Sequence, residues 1–398
     1  MQKYTPIAFE INLRAEGFVF DVGSLMTALM GLKDSRDARG LRYALVTILV
    51  FVILAKLSGE DFLRGIAQWV FEHAKELAEI LGLAKVQAPH YTTFGRILGH
   101  AVDVAHFEQI TRDFFAGLPG AGQTILIALD GKTLRGTIPL GATQGVHLLA
   151  AYFPGEGLVM AQVEVGQKEN EIPAAPRVLG MLNLRGKIVT ADALLTQRKI
   201  SVQIVEAGGE YVFPVKENQP ALLADIQTLF APEQCVKGFS PATKDFRTET
   251  KVEKGHGRIE KRTLTASSEL KGYVTWPYAE QVFKLEREFK QVNTGKIMQE
   301  TVYGITSLTA QEAGAKRLVE ITRSHWGIES GLHYRRDVTL HEDRCRVRRG
   351  HAPHVLAVIN NWILGMFARL GYTSAPVARR HFAAHLDEAV NLVLKAPN

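Results

Sequence analysis

The chain has 398 residues, 46% hydrophobic and 22% charged, a globular composition that excludes disorder, collagen and coiled coil for the bulk and leaves room for two or three domains. Lysine and arginine number 47 against 41 acids, and the net charge of +6 mildly favours a polyanionic partner. The two cysteines, Cys235 and Cys345, stand far apart with no CxxC pair, which excludes a disulfide scaffold and a cysteine-rich zinc site and fits a reducing compartment.

The opening MQKYTPIAFE lacks the apolar core of a signal peptide. The most apolar run, Ala44 to Ala55, is too short for a bilayer, which needs about 20 residues, so it reads as a buried helix closed by Lys56. A cytoplasmic chain with no membrane partner is expected. Residues 1 to about 115 look helical, with an amphipathic stretch over 61–81, a break at 86–89 and a further helix through Gly99. At Pro119-Gly120-Ala121-Gly122 the texture changes. Strands are expected at 123–129, 147–153, 158–165, 187–190 and 210–215, and helices at 172–184 and 196–206, so a mixed α/β sheet follows. Between 231 and 305 helical spacing disappears. Residues 246–253 and 258–264 alternate about Gly255-His256-Gly257 as a polar hairpin, and 282–291 and 300–305 continue as strands. Helical spacing returns over 309–332, and again at roughly 353–370 and 376–394. The expected division is a helical domain at 1–118, either for DNA or partner binding or for packing alone, an α/β domain at 119–230 and 306–398, and a β-rich insertion at 231–305.

Asp130 and Asp192 each end an expected strand, where a carboxylate suits a ligand at the sheet rim better than a core. Asp192 also reads as the start of the helix that follows. Glu329 lies late on a helix, in His325-Trp326-Gly327-Ile328-Glu329, and on its own is ordinary for a solvated face. Three such acids are what two-metal phosphoryl transfer requires: hard oxygen donors suit Mg²⁺ or Mn²⁺, and two ions activate the attacking oxygen and stabilise the leaving one. Gly131-Lys132-Thr133 is not the end of a phosphate-binding P-loop, because Leu126 stands where that motif needs glycine. His325, His333 and His341 are spaced too widely along a helix for joint zinc binding. Trp326 is either core or a base-stacking wedge, and Trp362 is core.

Several stretches in order resemble one family: Ala128-Leu129-Asp130-Gly131-Lys132-Thr133-Leu134-Arg135-Gly136, Asn170-Glu171-Ile172-Pro173, Ile188 to Ala193, Lys216-Glu217-Asn218-Gln219-Pro220, Glu253 to Glu260, and His325 to Glu329. The chain resembles the DDE-type insertion-sequence transposases associated with the H-repeats of Rhs elements, from about residue 30 to 370. The resemblance implies an RNase H-like catalytic fold interrupted by a β insertion. It carries the catalytic and metal-binding triad onto Asp130, Asp192 and Glu329, with Mg²⁺ as cofactor and Mn²⁺ as substitute. Related transposases surround the glutamate with Tyr, Arg and Lys at positions that here are Thr322, His325 and Arg336. DNA contacts are expected at Lys132, Arg135, Lys216, Lys254, His256, Arg258, His325, Trp326, Arg335 and Arg336. The implied partner is double-stranded DNA, both terminal inverted repeats and target, bound by a homodimer in the bacterial nucleoid. Two alternatives stay open: a repurposed transposase that binds DNA without cutting it, and a two-metal nuclease without strand transfer.

Overall fold

A computed structural model describes residues 7–9, 18–20, 23–37, 41–81, 83, 85–166, 168–232, 245–255 and 257–395. The expectation of an all-helical start is corrected at once. Strands β1 (Ile7–Phe9) and β2 (Phe18–Phe20) pair antiparallel, as their aromatic and β-branched residues favour. Six helices follow: α1 (Leu25–Met30), α2 (Leu45–Leu57), α3 (Leu63–Glu72), α4 (Ala74–Ile80), α5 (Tyr91–His100) and α6 (Val104–Ala116). All of α2 except Thr47 is buried, as its unbroken apolar run requires. Its one charge, Lys56, lies 3.5 Å from Asp61. The same buried Asp61 accepts two hydrogen bonds of 3.1 Å from Arg379 and one contact of 2.8 Å from His341 Nδ1, tying this helical layer to the C-terminal region. The amphipathic stretch is interrupted at His73, whose ring stacks on Trp69.

The central sheet contains β3 (Leu126–Thr133), β4 (His147–Phe153), β5 (Leu158–Val165), β6 (Ile188–Thr190) and β7 (Glu210–Val215). Helices α7 (Glu171–Leu179) and α8 (Arg198–Glu206) connect β5 to β6 and β6 to β7, and α9 (Pro220–Phe230) follows β7. Strand order is β5-β4-β3-β6-β7; β4 runs antiparallel to both β3 and β5, and β6 runs parallel to β3 and β7. This is the RNase H-like arrangement. The β-rich stretch supplies β8 (Arg247–Gly255), β9 (Arg258–Ser267), β10 (Gln281–Gln291) and β11 (Ile297–Thr306). It does not stand apart: β11 pairs antiparallel with β7, Tyr303 opposite Val215, and the sheet runs on through β10, β9 and β8. The β8–β9 hairpin is held by Thr248–Thr265 and Thr250–Thr263 hydroxyl pairs, each 3.0 Å apart, on a polar face.

Helix α10 (Ala315–His325) is shorter than its apolar spacing suggests, and the chain then winds in wider π-helical turns at Glu329–His333 and Arg335–Thr339. Helix α11 (Ala352–Arg369) is almost wholly buried against α5, α6 and β5. The last expected helix is two, α12 (Ala375–Ala384) and α13 (Leu386–Leu394), broken at His385.

A buried polar network joins these layers. Arg336, with no exposed surface, donates to Glu342 (2.8 Å), Gln162 (3.2 Å) and Asn361 (3.3 Å). Gln162 donates to Glu108 at 3.0 Å, and Glu108 also meets His354 Nε2 at 3.0 Å. Burial lowers the His354 pKa, but hydrogen bonds and charge from Glu108 and Glu164 prevail and raise it to about 9. A raised folded-state pKa stabilises the fold fully below the unfolded value near 6.5, and that contribution is lost as pH rises through about 9. The thermal midpoint is therefore expected to fall across this window, and His354→Gln to flatten the fall. An equal slope in the variant would remove His354 as the cause.

Candidate active site

The parallel pairing of β3 and β6 brings Asp130 and Asp192 level. Ala128 pairs with Thr190, and each aspartate stands two residues beyond that pair. Strand β6 ends at Thr190, whereas β3 runs on beside β4 with Asp130 opposite Ala150, so the rim next to Asp130 is open. Asp130 Oδ1 accepts from the Gly131 N–H at 3.0 Å, and Asp192 Oδ1 from Leu195 N–H at 3.1 Å. Helix α8 starts only at Arg198, so Asp192 closes a turn ahead of it. Burial pushes the Asp192 carboxyl above the usual carboxylate range, against the Leu195 hydrogen bond, and the charges of Glu171 and Asp130 push the same way.

Glu329 comes from the π-helical turn that follows α10. Helix α10 packs across β3, β6, β7, β8 and β9, and Thr190 Oγ1 lies 3.0 Å from His325 Nδ1, fixing the helix end over the end of β6. Burial lowers the His325 pKa, and the charge of Asp130 offsets this in part. The turns after α10 lie close against β4. A side chain at Gly331 would collide with the Tyr152 hydroxyl, and one at Gly327 would approach Pro154 Cβ to 2.9 Å. Asp130, Asp192 and Glu329 thus line one cavity of about 380 Å³, together with Lys216, Arg287, His325 and Trp326.

The donor set suits a divalent cation. Asp130, Glu329 and His333 present ligand atoms all within 4.8 Å of one another. Glu171 adds a nearby carboxylate: its Oε1 is 2.8 Å from His147 Nε2, and it lies directly against Gly131, where a side chain would have to displace it. Sequence reasoning missed His333, weighing it only against other histidines; its spacing of four from Glu329 was the available signal. Glu171 belongs to the Asn170-Glu171-Ile172-Pro173 motif, which by itself points to no role.

The model for the transposase DDE domain matches residues 121–366, and a DDE_Tnp_1-associated model matches 26–115. The chain belongs to the DDE transposase family. The "H repeat-associated putative transposase YhhI" of Escherichia coli K12 is 25% identical over 371 residues, 92% of this chain and 96% of that protein. An uncharacterized protein in the dhlA 3′ region of Xanthobacter autotrophicus is 34% identical over 67% of this chain and 88% of its own. Among solved structures, the piggyBac transposase synaptic complex with hairpin DNA aligns with a TM-score of 0.43 and 11% identity over 90% of this chain and 74% of that one.

In this DDE transposase the expected DNA contacts fall at several separate places. Lys216, His325 and Trp326 line the acid cavity. Lys254, Arg258 and Trp326 line an adjoining cleft of about 790 Å³ with Arg262, Arg323 and Ser330. Its two acids are already paired: Glu253 with Arg323 and Arg262, Glu260 with Arg262 at 2.5 Å. Trp326, half exposed, borders both spaces, with the Arg287 guanidinium 5.5 Å from its ring centre. That exposure settles against a core role. Arg135 is exposed beside Asp343, and Arg335 donates to the Thr373 carbonyl. His256 lies outside the described residues.

Two expected phosphate contacts are placed otherwise. Arg336 is enclosed in the polar network. Lys132 is buried, 2.6 Å from Asp337 and 3.5 Å from Asp343, and so fastens β3 to the segment that follows Glu329. Thr322, at the tyrosine position, donates to the Leu318 carbonyl of its own helix. Lys132→Met is expected to lower unfolding free energy by about 2 kcal/mol and leave the salt dependence of DNA binding unchanged. A phosphate-contacting lysine would do the reverse, sparing stability and reducing the log–log salt slope by about 0.9.

Proposed function

We propose that this transposase cleaves DNA at the ends of its element and joins the resulting 3′-OH to target DNA, with Asp130, Asp192 and Glu329 as the catalytic metal ligands. The convergence of these three acids on one open cavity carries the reading. They would hold Mg²⁺, with Mn²⁺ as substitute. Bound there, the ions supply charge stabilisation at the phosphoryl group in transfer. The chain's own part is positional. Asp130, central in the sheet, and Asp192, closed into its turn, hold fixed carboxylates, and the α10 extension sets Glu329 against them.

The flanking surface supports DNA as the substrate. The adjoining cleft carries four basic side chains against two acids, and its exposed Lys254 and Arg258 suit phosphates. Trp326 lines both the cleft and the acid cavity and offers an aromatic face to a base, and Lys216 lines the cavity. Inverted-repeat ends brought together for joining call for two copies of the chain on DNA. The helical layer at the N-terminus is the proposed element for binding ends.

The test is cleavage of DNA carrying the gene's own flanking sequences, in Mg²⁺ or Mn²⁺. Asp130→Asn is expected to lower cleavage by about 10³-fold, equivalent to roughly 4 kcal/mol of lost charge stabilisation, with end binding within a few-fold of wild type. Cleavage retained in the variant overturns the assignment. Nicks without joined products would reduce the activity to that of a nuclease, and binding without cleavage by either protein would leave a DNA-binding relic. In a second measurement, Lys254→Ala with Arg258→Ala is expected to reduce the log–log salt slope of binding by about 2. An unchanged slope would remove the cleft from the DNA path.

A further inference from the structure

The most unusual side chain near the three acids is His333. It is 4% exposed. Its Nε2 lies 3.2 Å from Asp130 Oδ2, yet neither ring nitrogen completes a hydrogen bond among the described residues. A buried polar group left in that state carries an uncompensated desolvation penalty. The π-helical turn over Glu329–His333 puts the imidazole four residues from Glu329, and Asp130 from β3 completes a group whose donor atoms all fall within 4.8 Å. Such widened turns recur at functional sites because they re-aim side chains that a regular helix would misplace.

We infer that His333 is a nitrogen ligand of the catalytic cation held by Asp130 and Glu329. The inference rests on the proposed metal-dependent reading and deepens it, because it fixes the character of the ion. Carboxylates alone suit Mg²⁺, whereas one imidazole among them shifts the preference towards ions that accept nitrogen, Mn²⁺ among them. A transposase with this donor set works better in Mn²⁺ than an all-carboxylate site does. The rival role for the same geometry is an ion pair in which protonated His333 takes the place of a cation beside Asp130. The two roles differ in sign. Removing a ligand weakens metal binding, whereas removing a competing positive charge strengthens it.

The experiment uses the full chain with Mn²⁺ alone, read by calorimetry and by pulsed electron paramagnetic resonance of the bound ion, with the thermal midpoint checking the fold of each variant. Expected in wild type is Mn²⁺ binding that Asp130→Asn abolishes, with nitrogen-14 modulation from a directly coordinated imidazole. His333→Ala should weaken Mn²⁺ binding by about 10-fold or more and remove the modulation. His333→Asp should recover affinity without the nitrogen signal and move the ratio of Mg²⁺ to Mn²⁺ cleavage rates towards Mg²⁺. Tighter Mn²⁺ binding by His333→Ala overturns the inference in favour of the ion pair. Asp130-dependent Mn²⁺ binding in wild type with no nitrogen modulation also overturns it, even where a variant fails to fold, and leaves the three-acid reading standing. No Asp130-dependent Mn²⁺ binding at all overturns both.

Discussion

The structure turns on one register. Ala128 of β3 faces Thr190 of β6 in parallel, and this alone sets Asp130 and Asp192 at the same height on the sheet rim. A slip of one residue would send one of them to the other face. The pairing is protected on both sides: β4 holds β3 beyond the end of β6, and β7 holds β6. The Thr190 hydroxyl, reaching both the Ile127 carbonyl and His325, then links that register to the helix that delivers the third acid.

The rest of the fold keeps Glu329 in place against two like charges. Carboxylates brought together repel, and burial of Asp192 adds to the cost. The opposing attachments are spread along the segment after Glu329. Lys132 holds Asp337 and Asp343, Arg336 is anchored by Glu342, Gln162 and Asn361, and His341 reaches Asp61 in the helical layer. His341 adopts left-handed backbone angles, φ 49°, uncommon for a residue with a side chain. The N-terminal helices therefore brace the acid cavity through Asp61.

Much of this was legible in the sequence. The apolar runs before Asp130 and Asp192, each ended by a carboxylate, gave both strands and their rim positions. The alternation about Gly255-His256-Gly257 gave the β8–β9 hairpin. Order and spacing of the motifs gave the family. What was not legible is tertiary. Arg336 and Lys132 read as phosphate contacts because they sit among basic or acid-flanked residues, but their partners Gln162, Asn361 and Asp337 come from distant parts of the chain. His333 escaped notice because helical spacing relates it to Glu329 alone, while its contact with Asp130 spans the fold. The π-helical turns leave no mark in hydrophobic periodicity, which carries equally well through a helix end.

Asp130, Asp192 and Glu329 are proposed to form one cation-binding centre. Anomalous diffraction from crystals of the full chain equilibrated with Mn²⁺ tests it most directly. The expected result is anomalous density in the cavity bounded by these three side chains, absent from Asp130→Asn crystals. Density confined to other sites, or equal density in the variant, would contradict it.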